Sequence, residues 1–213
     1  MSDRSNFIHR FEPATRLEAP PLLLLHGTGG DESDLLQLGR LVSPGSALLS
    51  PRGKVIENGM PRFFRRHAEG VFDEDDVRLR ANELADFVEA ARKDYGIGSP
   101  VALGFSNGAN IAAATLLLRP DALAGAILLR AMVPLSHPPK VDLSQTQVLM
   151  ISGMHDPIIP RENAAELQSL LAARGADVES HTLPIGHQLS QADLTLARRW
   201  IGERESVAVK QAS

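Results

Sequence analysis

Val101-Ala-Leu-Gly-Phe-Ser-Asn-Gly-Ala-Asn110 leads from a short apolar run, through a turn of small residues, into the apolar segment ending at Leu118. Gly104, Ser106 and Gly108 spell G-x-S-x-G. A serine hydroxyl is a weak nucleophile and must be presented to a base. A sharp turn between strand and helix presents it, and crowding there tolerates only small neighbours. The following helix N-terminus favours negative charge as it develops. The competing reading is a tight strand–helix turn in which Ser106 merely caps the helix. Val101–Leu118 carries no charge and touches the membrane-span length of roughly 18 residues, but its central Gly, Ser and Asn residues read better as buried strand, turn and helix.

Outward from this turn, further apolar runs lie at Leu22–Leu25, Ala47–Leu49, Ala126–Leu129 and Val148–Ile151. Continuous rather than alternating apolar character marks strands covered on both faces, as in a parallel sheet. Phe7–Phe11 and Val178–Leu183 alternate and suit edge strands. Helical patterns fall between the runs at Asp31–Leu41, Asp76–Tyr95, Asn107–Leu118, Arg161–Arg174 and Ala192–Gly202. The order predicts an α/β three-layer sandwich with a mostly parallel central sheet and no large lid, one domain over residues 1–213, frayed at about 1–6 and 204–213. Ser50–Phe72 shows no periodicity, and a loop that long in a compact domain is often functional.

Composition narrows the classes. The 213 residues are 43% apolar and 23% charged, ordinary for a globular chain. A net charge of −4 gives a phosphate backbone nothing to bind, so no nucleic-acid partner is expected. Cysteine is absent, which removes thiol catalysis and cysteine-held metals and fits a reducing compartment. The N-terminal residues lack an apolar core for a secretory signal, so a cytoplasmic location is expected, with no membrane span. The histidines show no H-x-H or H-E-x-x-H spacing, so neither a metal nor another cofactor is expected.

Acyl transfer needs two backbone N–H donors aimed at a developing oxyanion. Asn107, after the candidate nucleophile, supplies one, and Thr28 in the turn Leu25-His-Gly-Thr-Gly-Gly30 is the candidate for the other. A dinucleotide or phosphate loop is excluded there, since Glu32 stands where a third glycine belongs. His26 is read as a structural histidine bonded within its loop. Asp156, just past the run Val148–Ile151, is the candidate acid, although Asp-Pro also makes turns. His187, after Val178–Leu183, is the candidate base. Asp142, Asp177 and Asp193 follow no strong buried strand and are weaker candidates. The chain order Ser106, Asp156, His187 is that of α/β hydrolases.

Leu25-His-Gly-Thr-Gly-Gly, Gly104-Phe-Ser-Asn-Gly-Ala-Asn, Gly153-Met-His-Asp and Gly186-His-Gln together resemble the phospholipase/carboxylesterase family of α/β hydrolases, which includes acyl-protein thioesterases. Ser50-Pro-Arg-Gly, Arg62-Phe-Phe-Arg-Arg, Glu69-Gly-Val-Phe-Asp and Leu129-Arg-Ala-Met-Val-Pro are similar to its small bacterial carboxylesterase branch, some of whose members are linked to hydroquinone or catechol stress. The resemblance covers about residues 20–200. It implies a compact serine hydrolase, often dimeric and needing no metal, with Ser106, Asp156 and His187 as the triad and Thr28 and Asn107 at the oxyanion hole. Acyl-protein thioesterases usually carry Gln after the nucleophile; Asn107 stands here, which argues against protein depalmitoylation.

The expectation is therefore a serine esterase acting on small carboxylic esters of short or medium length. The rival readings are a thioesterase or lysophospholipase, and a non-catalytic binding module on the same fold. Between Arg52 and Arg66 five basic residues precede an acidic cluster, and mutual neutralisation explains most of them. A sharper reading makes Arg62 or Arg65, with Phe63 and Phe64, a pocket wall for an anionic or aromatic acyl group. Met132 is either a further pocket residue or core packing.

Overall fold

The computed structural model describes residues 7–211, residues 205–211 by their backbone alone. The fraying expected at residues 1–6 lies outside the described residues. Seven strands form one sheet in the order β1-β3-β2-β8-β9-β10-β11. They are β1 (His9–Glu12), β2 (Leu22–Leu25), β3 (Leu48–Pro51), β8 (Val101–Phe105), β9 (Gly125–Leu129), β10 (Gln147–Gly153) and β11 (Asp177–Leu183). Only β1 runs antiparallel to its neighbour, pairing His9 with Pro51. Every apolar run read as a strand is one, and the two alternating segments are the sheet edges.

Alternate residues of each strand feed two cores. Leu23, Leu25, Ala102 and Leu128 pack with α2 (Glu74–Tyr95), α3 (Asn107–Leu118) and α4 (Arg161–Ala172). Leu22, Leu24, Leu103 and Ile127 pack on the other face with α1 (Leu36–Val42) and α5 (Gln191–Gln211). Helix α3 is buried along most of its length, which explains its uncharged sequence. Among the described residues no helix is long and apolar enough to cross a membrane.

Several boundaries differ from expectation. Helix α1 starts at Leu36 rather than Asp31, because the Asp31 carboxylate accepts the Ser33 N–H and holds a turn that competes with helix. Helix α2 starts at Glu74, where Asp73 caps it by accepting the Asp76 N–H, and Gly96 ends it at φ 65°. Helix α5 continues past Gly202 to Gln211. The aperiodic stretch 50–72 holds two small hairpins, β4 (Val55–Glu57) with β5 (Met60–Arg62) and β6 (Arg66–Ala68) with β7 (Val71–Phe72). Strands of two or three residues are too short to show a period.

Candidate active site

The carboxyl ends of β2, β8, β10 and β11 converge on one edge of the sheet, where open α/β folds gather ligand chemistry. Ser106 follows β8 directly, at φ 53° and ψ −113°. A non-glycine residue held there is strained, and the packing around it enforces the turn. A Cβ on Gly104 would lie 2.5 Å from Gly108 O, and one on Gly108 would lie 1.9 Å from Leu25 O. Both glycines of the motif are therefore required by close backbone approach. The Ser106 hydroxyl makes no helix-capping bond. It lies 2.9 Å from His187 Nε2, which decides against the capping reading.

His187 Nδ1 lies 2.8 Å from Asp156 Oδ2. The other Asp156 oxygen accepts the N–H groups of Ile158 and Ile159 at 2.9 and 3.1 Å, so this aspartate both forms its turn and holds the imidazole. The loops after β10 and β11 are zipped together by Met154 N–H to Leu183 O at 2.7 Å and His155 N–H to Ile185 O at 2.9 Å. That pairing delivers Asp156 and His187 side by side. Phe105 packs against the His187 ring at 5.3 Å between centroids.

Thr28 and Asn107 flank Ser106 in the same cleft. The backbone N–H of neither has a hydrogen-bond partner among the described residues. Asn107 Oδ1 accepts the Phe63 N–H at 2.7 Å, tying the hairpin segment to the start of α3. His26 sits buried behind the Thr28 turn, with Nδ1 2.6 Å from Gly27 O and Nε2 accepting the Gly53 N–H at 3.0 Å. Both ring nitrogens are committed, so it is a brace for the loop, as expected. Burial, opposed in part by Gly27 O and by Asp34, Asp31 and Glu32, holds its pKa below the usual 6.5. Its neutral form is the folded form. Stability from this group is therefore present in full above pH 6.5 and declines as the pH falls from there toward the depressed folded-state value. Urea midpoints measured between about pH 7.5 and 5 are expected to drop in the wild type and to flatten in His26→Gln.

The cleft beside Ser106 has a volume of about 310 Å³. Arg62 and Met132 line it; Met132 also belongs to a small buried cluster, so it serves wall and core together. Three expected wall residues do not line it. Phe63 and Phe64 are 2% and 0% exposed and belong to the main core, because their apolar rings turn inward from the hairpin link. Arg65 points outward to Asp73 and Asp76 at 2.9 and 3.6 Å. Neutralisation accounts for much of the segment, including Arg66 with Glu57 at 3.1 Å and Lys54 with Glu83 at 3.7 Å. A larger groove of about 630 Å³ between the C-terminal ends of α2 and α3 lies away from Ser106, and its Arg119 and Lys93 pair with Glu89.

Several residues at the site were not read from the sequence, Asn110, Arg66 and Arg130 among them. Asn110 and Arg66 line the cleft. Arg130, fully buried at φ 57°, reaches the loop that carries His187. Its Nε donates to Gly186 O at 3.2 Å and its Nη2 to Gln188 O at 2.9 Å. The spacing of Asn110, one helical turn after Ser106, is a signal that was available.

The family model described as phospholipase/carboxylesterase matches residues 9–203. The chain belongs to that family. Among curated proteins it is 46% identical over 184 residues to the "Putative hydrolase MhqD" of Bacillus subtilis (strain 168), covering 85% of this chain and 92% of that protein. Among solved structures, the Bacillus cereus carboxylesterase superposes with a TM-score of 0.90 at 43% identity, covering 92% of this chain and 94% of that one. The Mesorhizobium loti carboxylesterase does so with a TM-score of 0.88 at 31% identity, covering 95% and 97%. The fold is accordingly that of the α/β hydrolases without a separate lid domain, and the family is one of ester-hydrolysing enzymes.

Proposed function

We propose that this chain is a serine carboxylesterase that hydrolyses short or medium carboxylic esters through an acyl-enzyme. The reading rests on the two hydrogen bonds that link Asp156 through His187 to Ser106, 2.8 and 2.9 Å long. Ser106 Oγ attacks the ester carbonyl carbon while His187 Nε2 takes its proton. The carbonyl electrons move onto oxygen, which the free N–H groups of Thr28 and Asn107 receive. When the carbonyl re-forms, the alkoxy group leaves with the proton from His187. Water then repeats the sequence on the acyl-enzyme and frees Ser106. Asp156 fixes the His187 tautomer and stabilises its cation. The short-chain preference follows from a cleft at the small end of ligand pockets, roughly 300 Å³. A cytoplasmic site of action fits a sequence without cysteine.

Exposure to a fluorophosphonate followed by intact-mass measurement is expected to give one adduct on the wild type and none on Ser106→Ala. An unlabelled, folded wild type would leave the binding-module reading in its place. Parallel ester, thioester and lysolipid panels are expected to give the highest kcat/KM on short esters; a thioester optimum would move the assignment within the family.

A further inference from the structure

One wall of the cleft carries hydrogen-bond donors that meet no acceptor among the described residues. Arg62 is only 3% exposed. Its Nε donates to Phe64 O at 3.2 Å and its Nη1 to Thr28 Oγ1 at 2.8 Å. Its Nη2 has no partner among the described residues and is not sealed from the cleft that Arg62 lines. Asn110 is 5% exposed. Its Oδ1 accepts the Met132 N–H at 2.8 Å, which fixes the amide orientation and leaves Nδ2 as a second free donor in the lining. Among the described residues Arg66 spends only its Nε, donating to the two Glu57 oxygens at 3.2 and 3.1 Å, and its terminal nitrogens meet no partner. Phe72, Ile158 and Ile159 add apolar surface to the lining.

We propose that this cleft selects small esters that also carry a free carboxylate, received by Arg62 Nη2, Asn110 Nδ2 and the Arg66 fork. The inference rests on the esterase reading and names its substrate class. Donors without acceptors call for an acceptor-rich group, and guanidinium geometry suits a planar carboxylate with two oxygens. Charge points the same way. Glu57 lies 3.3 Å from Arg62 and 3.1 Å from Arg66, so its single charge is shared between two cations. Glu69 also stands in the lining and repels an anion, but it is exposed, where water screens it better than the buried arginine is screened. The volume of about 310 Å³ limits the substrate to a short acid rather than a long acyl chain.

Two matched ester pairs test this. Monoethyl glutarate against ethyl 5-oxohexanoate puts the carboxylate or its neutral isostere on the acyl side. 4-Acetoxybutanoate against 5-acetoxypentan-2-one puts it on the alcohol side. At least one pair is expected to show a preference of tenfold or more in kcat/KM for the charged member. Arg66→Gln and Asn110→Asp are each expected to cut that ratio at least fivefold, whereas Glu69→Gln raises it. No preference in either pair, or equal losses on charged and neutral members, overturns the proposal. Glutarate titrated calorimetrically into Ser106→Ala supplies an arm free of turnover. Binding that weakens at least fivefold on adding Arg66→Gln supports the proposal even if no ester is cleaved, and absence of binding overturns it. Cleavage of neutral esters without charge preference would leave the esterase reading standing and remove this one.

Discussion

His187→Ala is expected to lower kcat about a million-fold and Asp156→Asn about ten-thousand-fold, with both proteins folded and KM little changed. The order follows from the geometry. His187 Nε2, 2.9 Å from Ser106 Oγ, is the atom that takes the proton in the proposed mechanism, so nothing replaces it. His26 cannot serve, because both of its nitrogens are bonded to its own loop and to Gly53. Asparagine at position 156 can still accept the Ile158 and Ile159 N–H groups, so the turn survives. Its amide, however, turns a donor toward His187 Nδ1 and favours the tautomer with hydrogen on Nε2, which cannot accept from serine. The Ser106→Ala/His187→Ala double variant is expected to be no slower than the worse single one, since the groups act as a unit. The check is single-turnover and steady-state kinetics on one short ester. A tenth or more of wild-type kcat in His187→Ala would sink the assigned proton route.

The strands, the turn at Ser106 and the order of Ser106, Asp156 and His187 were legible because each depends on local pattern. An apolar run with a small-residue turn reports burial on both faces, and a polar residue just past such a run lands on the sheet's carboxyl edge. The cleft wall was less legible. Nothing in Arg62-Phe-Phe-Arg-Arg says which cation turns inward. That is decided by Thr28 and Asn107, which tie Arg62 and the Phe63 backbone to the site from distant parts of the chain, while Asp73 and Asp76 draw Arg65 outward. The same limit hid Arg130. Its partner is Asp193, 63 positions away and offered by the sequence only as a weaker candidate acid. A charge buried against a distant partner leaves no periodic signature.

Arg130→Met is expected to cost about 3–5 kcal/mol of folding stability, because it strands a buried carboxylate rather than removing a pair. Arg130 is 0% and Asp193 2% exposed, and they meet through two bonds of 2.8 and 2.9 Å. Asp193 Oδ2 also accepts the Ser190 N–H at 2.7 Å at the start of α5. Loss of stability alone would mark a structural residue. The carbonyl contacts predict more. Arg130 holds Gly186 O and Gln188 O on either side of His187, and Ile151 O at 3.1 Å on the strand that leads to Asp156. Freed from that clamp, His187 loses its register with Ser106, and a misplacement of about 1 Å costs roughly a hundredfold in rate. At temperatures well below its melting point, the variant is therefore expected to lose kcat about a hundredfold with KM nearly constant. Arg130→Lys should recover part of the stability through the retained charge but little of the rate, since an ammonium cannot reproduce the fork to Asp193 and three carbonyls at once. Urea denaturation and steady-state kinetics on the same samples separate the two effects. Full kcat in a destabilised Arg130→Met would reduce Arg130 to a core ion pair.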